Sequence, residues 1–335
     1  MIPGVVHDLA ARATRRRNGR AAAAAGIPGD DEVLRALLHR RATGSRADGH
    51  RIALVVSGGG MRGAYAGGMV HALDDAGLAG CFDVVYGSSA GAYIGAGLLL
   101  GSGRGSAAIF FEDMACREFI DPRRFPRRPL VSLDHLLDDV LVRSKPLDWE
   151  RLRDSPVPLR VVATALDDLQ PHILEPTTSP EWKLALRATA SIPLLAGPAV
   201  ELHGRRWIDG SVGEPLPVLR ALADGATHVL ALFTRAASEL RRSDTGGPAG
   251  WARALDRLAP GLGRMAQEGQ RHAAVLAVLD DAAHPSRDGT HLLALLPERD
   301  EGVRGLTTDV PRVERAARAG YAAVVSALQR VQDVA

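Results

Sequence analysis

From Arg51 onward the chain alternates short apolar runs with longer amphipathic stretches. Ile52-Ala53-Leu54-Val55-Val56 has no polar interruption, as expected of a strand buried on both faces of a parallel sheet. A glycine loop, Ser57 to Gly60, leads into a helix expected from about Met61 to Ala76, with Gly77 as its stop. A second strand is predicted over Val84 to Tyr86. The helix that follows Ser89 runs to about Leu100 and breaks at Gly101-Ser102-Gly103. This strand–helix–strand–helix start predicts an α/β fold with a parallel sheet and right-handed crossovers.

Further along, Leu133 to Val142 patterns as an amphipathic helix, Leu159 to Thr164 and His172 to Leu174 as strands, and Glu181 to Thr189 as a helix stopped at Ile192-Pro193. Val200 to Ile208 reads as two short strands joined at His203-Gly204. Leu216 to Ala223 is helical and His228 to Thr234 is a strong strand. Ser238 to Gly250 is a polar, Gly-rich loop. Residues 251 to 283 and 311 to 334 are expected to be helical, with the strand His291 to Leu296 between them. No internal repeat is visible.

Residues 1 to 50 are rich in Arg and Ala, with a helical pattern around Asp31 to Arg41. They are expected to form a separate, partly ordered extension. A basic arm touching anionic lipid is the alternative. The folded domain is expected over 51–335, with its chemistry within 51–235 and a helical C-terminal part over 250–335.

Composition narrows the class. Apolar residues make up 46% of 335 positions, enough for a sizeable core, but aromatics only 4%, so Ala, Val and Leu must build it. A net charge of +2, from 41 basic and 39 acidic residues, gives no reason to expect a nucleic-acid partner. Two cysteines, Cys81 and Cys116, exclude a disulfide framework, read as small buried hydrophobes and fit a reducing compartment. The start of the chain lacks a signal-peptide pattern, and the longest apolar run, Ile94 to Leu100, is far short of the roughly 20 residues a bilayer requires. A cytoplasmic protein without a transmembrane segment is expected.

Candidate chemistry sits at two strand-to-helix turns. Gly87-Ser88-Ser89-Ala90-Gly91 matches the Gly-x-Ser-x-Gly nucleophile elbow in the context that motif requires. Gly87 and Gly91 leave room for a strained turn, and the helix N-terminus favours negative charge at Ser89. Ser57-Gly58-Gly59-Gly60-Met61-Arg62-Gly63 admits two readings. As a dinucleotide fingerprint it expects an acidic residue at the end of the next strand, yet that strand ends at Tyr86-Gly87. As an oxyanion hole it offers unshielded backbone amides at a helix start. Glycine loop and elbow on successive turns of one sheet should lie side by side. A third segment, Arg206-Trp207-Ile208-Asp209-Gly210-Ser211, ends a short strand, and alone it reads as an Asx-type turn.

Together the three segments resemble the patatin-like phospholipase family. That family carries Gly-Gly-Gly-x-Arg-Gly after its first strand, Gly-x-Ser-x-Gly after the next, and Asp-Gly-Gly or Asp-Gly-Ala well downstream. Here these are Gly58 to Gly63, Gly87 to Gly91 and Asp209 to Ser211. Ala190-Ser191-Ile192-Pro193 and Glu214-Pro215-Leu216-Pro217-Val218 match the family's flanks, so the resemblance spans roughly 50 to 235. Ser211 departs from the pattern. The resemblance implies a three-layer α/β/α fold and a lipid acyl hydrolase of the phospholipase A, lysophospholipase or esterase type. It implies a Ser89–Asp209 dyad without a histidine relay, amides of Gly59, Gly60 and their neighbours as oxyanion donors, Arg62 fixing the glycine loop, and neither metal nor cofactor. An ordinary Asp, with a pKa near about 3.9, is a poor base toward a hydroxyl, so the site must compensate by burial and charge stabilisation.

Other readings stay open at this stage. Ser89, Asp209 and His228 satisfy the chain order of an α/β-hydrolase triad, although His228 opens a buried strand. A non-catalytic lipid- or partner-binding protein on the same fold and a nucleotide-dependent enzyme using the glycine loop are the alternatives to hydrolysis. His172, His203 and His291 show no metal spacing. In Asp121-Pro122-Arg123-Arg124-Phe125-Pro126-Arg127-Arg128-Pro129-Leu130, four arginines surround Phe125. The stretch is either a solvated turn-rich loop or a peripheral contact with anionic headgroups.

Overall fold

The computed structural model of the chain describes residues 29–236, 238–240, 289–333 and, within the interval 241–288, residues 256, 257, 259, 263, 264, 271, 272 and 275. The helices expected over 251–283 and the start of the basic extension therefore lie almost wholly outside the described residues.

Eight strands form one sheet: β1 (Ile52–Val56), β2 (Val84–Ser88), β3 (Leu159–Ala165), β4 (Pro171–Leu174), β5 (Val200–Leu202), β6 (Arg205–Ile208), β7 (His228–Leu232) and β8 (His291–Leu295). Their order is β5-β6-β3-β2-β1-β7-β8, with β4 also on β3. The stretch β3-β2-β1-β7-β8 is parallel, whereas β4 and β6 run antiparallel to β3. Every residue of β1, β2 and β7 is buried, in keeping with the apolar runs Ile52–Val56, Val84–Tyr86 and Val229–Leu232. Alternate side chains serve opposite faces. Ile52, Leu54 and Val56 pack in one core, Ala53 and Val55 in a second.

Helices cover both faces. The first core holds α1 (Glu32–Thr43), α2 (Gly63–Asp75), α3 (Ala90–Leu99), α4 (Gly103–Ile109), α5 (Ser179–Ala190) and the C-terminal α7 (Val310–Gln332). The second holds α6 (Val218–Ala223). Helix α5 starts on a capping box in which Thr178 and Glu181 satisfy each other's backbone amides. No described helix is long and apolar enough to cross a membrane.

Three local differences from the sequence expectations have physical causes. Residues 32–43 form the helix expected there but pack into the core instead of standing as part of a separate extension. Val33, Leu34 and Leu37 are fully buried, and the guanidinium of buried Arg40 binds Asp48, Asp83 and the carbonyls of Cys81 and His50. The apolar stripe of α1 was outweighed in sequence by its Arg- and Ala-rich surroundings. Strand β2 runs two residues further, to Ser88, because it pairs with both β1 and β3 up to the elbow. The helix expected from Met61 starts at Gly63, after a tight turn Gly60–Arg62 in which the Met61 and Arg62 amides are bound outside the helix.

Candidate active site

The elbow follows from the close approach of α3 to the sheet. Gly87 pairs with Val56 in the sheet, and the chain then reverses at Ser89, whose φ of 53° and ψ of −127° are disfavoured for a residue with a Cβ. The Ser89 amide donates to Thr189 Oγ1 (2.8 Å), and the Thr189 hydroxyl in turn donates to the Val162 carbonyl. A Cβ at Gly91 would overlap the Val56 carbonyl oxygen, so α3 can start here only on glycine.

Asp209 follows β6 directly and caps the short helical turn Gly210–Gly213. Its Oδ1 accepts the Ser211 amide at 2.7 Å. Its Oδ2 accepts the Ser89 hydroxyl at 2.6 Å. The backbone is fixed from both sides: Asp209 N donates to Ser191 O (3.0 Å), and Thr164 Oγ1 donates to Asp209 O (2.9 Å). Asp209 is fully buried and Ser89 is 6% exposed. The Ser211 hydroxyl, also buried, has no hydrogen-bond partner among the described residues.

The glycine loop is more selective than its sequence suggests. Gly58 N donates to Pro215 O (3.1 Å), Met61 N to Gly305 O (3.0 Å) and Arg62 N to Gly59 O (3.2 Å). Gly63 N closes onto the carbonyls of Gly60 and Met61. Gly59 and Gly60 lie at φ 143° and 58°, where glycine is favoured, and their amides donate to no acceptor among the described residues. The Ala90 amide, at the start of α3, likewise donates to no acceptor among the described residues. Of the six loop residues considered from sequence, Gly58, Met61, Arg62 and Gly63 are thus structural through their amides, and Gly59 and Gly60 keep theirs available. The Arg62 side chain reaches Glu239 Oε1 at 3.3 Å, tying the loop to the segment after β7.

Two supporting residues were missed by sequence reasoning. The guanidinium of Arg271 donates to the carbonyls of Ser211 (2.8 Å), Val212 (2.6 Å) and Gly213 (3.1 Å), the turn that Asp209 caps. Its neighbour His272, fully buried, places Nε2 2.6 Å from Ser57 Oγ. Ser57 Oγ donates to Gly58 O (3.0 Å), as does Thr234 Oγ1 (2.7 Å). No local motif marks 271–272, so no sequence signal could have found them.

Ser89 borders a cavity of about 240 Å³ whose walls are mainly apolar, among them Ile94, Phe110, Phe119, Val131, Leu136 and Ile192. His228 is far from it. It pairs with Ile52 at the opposite end of the strands, while Val56, beside the elbow, pairs with Leu232. Its ring packs against His50 (4.3 Å) and His291 (4.7 Å), and burial pushes its pKa down to about 4. The Ser–Asp–His reading is therefore corrected: chain order holds, but the sheet separates the histidine from the serine. His172 sits against Trp207, His203 against Glu181 and His291 against Asp30.

The comparisons with known proteins address the same frame. A family model described as Patatin-like phospholipase matches residues 54–222, which contain the glycine loop, the elbow and Asp209. The chain is 31% identical over 188 residues to the uncharacterized protein YjjU of Escherichia coli (strain K12), a match covering 55% of this chain. The match spans about half, 52%, of the length of that relative. The fold is similar to that of VipD from Legionella pneumophila, at a TM-score of 0.50 and 14% identity, over 96% of this chain and 73% of VipD. With half of its residues under that model, and a mostly parallel sheet flanked by helices beneath them, the chain belongs to the patatin-like phospholipase family.

Proposed function

We propose that the protein is a serine acyl hydrolase that cleaves carboxylic ester bonds of lipids, with Ser89 as nucleophile and Asp209 as general base. The observation that carries this reading is the 2.6 Å hydrogen bond from Ser89 Oγ to Asp209 Oδ2 at the edge of an apolar cavity. The Ser89 proton passes to Asp209 Oδ2 as Oγ bonds to the ester carbonyl carbon. The carbonyl oxygen takes up the electron pair as an oxyanion, for which the amides of Gly59, Gly60 and Ala90, which have no acceptor among the described residues, are the proposed donors. The intermediate collapses, the C–O bond to the alcohol breaks, and Asp209 returns the proton to the leaving oxygen. Water, deprotonated by Asp209, then releases the fatty acid and restores Ser89.

Burial favours this division of labour. With water excluded, each preorganised donor is worth roughly 10²–10³ in rate, and general-base assistance about 10²–10⁴. One oxygen of Asp209 is held by the Ser211 amide, so the other stays aimed at Ser89. At about 240 Å³ the cavity lies below the range typical of pockets for drug-sized ligands and suits a single acyl chain better than a whole lipid. We assign the catalytic domain to 51–335, with α1, which precedes it in the chain, packed against its core. The two free cysteines support a cytoplasmic setting.

The test is an ester panel, from short p-nitrophenyl esters to phospholipid vesicles, with Ser89→Ala as blank. Turnover that Ser89→Ala abolishes is expected. Vesicle binding without turnover of any ester would favour the non-catalytic lipid-binding alternative.

A further inference from the structure

Residues 117–131 form a lobe beside the cavity. An antiparallel bridge between Ile120 and Val131 closes its base, with Asp121 N donating to Leu130 O (2.9 Å) and Ser132 N to Phe119 O (2.8 Å). Five arginines oppose Glu118 and Asp121, leaving the lobe at +3. Two of the five hold the lobe together. Arg124 donates to the carbonyls of Arg117, Glu118, Phe119 and Leu130, and Arg123 pairs with Asp121 at 2.8 Å. Arg117, Arg127 and Arg128 are exposed, and their side chains make no ion pair or hydrogen bond among the described residues. Phe125, between them in sequence, is 52% exposed.

The lobe is continuous with the cavity rim. Phe119 and Val131 line the cavity, and Val131 N donates to Leu195 O (2.8 Å). Leu195 and Ile192 line it too, and Leu194 between them is 44% exposed at a φ of 66°, a costly backbone conformation for leucine. Leu306, itself a lining residue, is 43% exposed.

Exposed Phe and Leu side chains beside unpaired guanidinium groups suit a surface that is anionic outside and apolar within. We infer that this lobe, with Leu194 and Leu306, docks the protein on a bilayer carrying anionic headgroups. Headgroup phosphates take Arg117, Arg127 and Arg128, while Phe125 and Leu194 enter the acyl boundary. The cavity rim then faces the lipid. The inference rests on the ester-hydrolase reading for its purpose only, because docking needs no chemistry.

The experiment uses the full chain carrying Ser89→Ala, so that hydrolysis cannot alter the vesicles. It measures co-sedimentation with phosphatidylcholine vesicles with and without phosphatidylglycerol. Binding is expected only with the anionic lipid, and it falls as salt rises. The double variant Arg127→Glu/Arg128→Glu, and separately Phe125→Ser, each weaken it by about tenfold or more at an unchanged melting midpoint. Equal binding to both vesicle types, or undiminished binding by the charge-reversed variant, overturns the inference. Loss on charge reversal with none on Phe125→Ser also overturns it, because the contact is then attraction to the headgroups without entry into the acyl boundary. Ester turnover by the unaltered chain is scored separately, so docking and catalysis fail independently.

Discussion

His272 Nε2 lies 2.6 Å from Ser57 Oγ, while the adjacent Arg271 grips the carbonyls of residues 211–213. Two consecutive side chains thus brace both halves of the candidate site: the glycine loop through Ser57 and the Asp209 turn through its carbonyls. We expect His272→Ala to lower kcat about tenfold or more while KM changes little, since an oxyanion-donor loop moved slightly loses transition-state binding first. His272→Gln, whose amide can still donate to Ser57, should recover most of that loss. Steady-state kinetics of both variants check this, and equal defects in the two would reduce His272 to a packing residue.

Ser211 offers a test of its departure from the family pattern. Its hydroxyl is buried without a partner among the described residues, and leaving such a group unsatisfied costs about 1–3 kcal/mol. Ser211→Ala keeps the amide that holds Asp209 and removes the orphan oxygen. It should raise stability by about 1 kcal/mol in urea unfolding and leave kcat within about twofold. A large fall in kcat would give the hydroxyl a part in the reaction.

The packed status of α1 is tested at Arg40. Its guanidinium lies against Asp48 at 2.7 Å and Asp83 at 2.8 Å, with its side chain 1% exposed. Removing one partner of a buried charge cluster costs about 3–5 kcal/mol. Arg40→Met should therefore destabilise the chain by about 3 kcal/mol, measured by urea unfolding, since both acids keep some water contact. A change below about 1 kcal/mol would mean that 32–43 is dispensable to the fold.

Acid should weaken the fold through His228. Its pKa in the folded protein, about 4, lies below the ordinary value near 6.5, with burial the main cause and the neighbouring His50 and His291 adding to it. The unfolded chain therefore binds a proton first, so stability present above about pH 6.5 declines as pH falls toward 4. The Asp48 carboxyl, held well below the usual carboxylate range by Arg40, acts in the same direction at lower pH. His228→Phe should flatten the decline between pH 6.5 and pH 4, read from melting midpoints across that range. An unchanged slope would remove His228 as its source.

Much of the architecture was legible because its signals are local. Apolar runs gave β1 and β7, and the glycine stops bounded the early helices. The elbow was legible as a motif with a known physical purpose, whereas Asp209, alone an Asx-type turn, was singled out only by the resemblance to the family. What stayed hidden depends on contacts between distant segments. That Gly58 spends its amide on Pro215 while Gly59 and Gly60 do not is a matter of tertiary hydrogen bonding. So is the reach of Arg271 and His272 from a segment with no motif of its own. Arg40 looked like one more basic residue of a charged leader until Asp48 and Asp83 closed around it.

The central claim is that a single buried carboxylate activates Ser89. Fluorophosphonate labelling followed by peptide mass spectrometry, run as a time course on the unaltered chain and on Asp209→Asn, tests it most directly. The account predicts one adduct, on Ser89, formed at least about 10²-fold more slowly once the carboxylate becomes an amide. Labelling of Asp209→Asn at the parental rate, or an adduct on another residue, would contradict it.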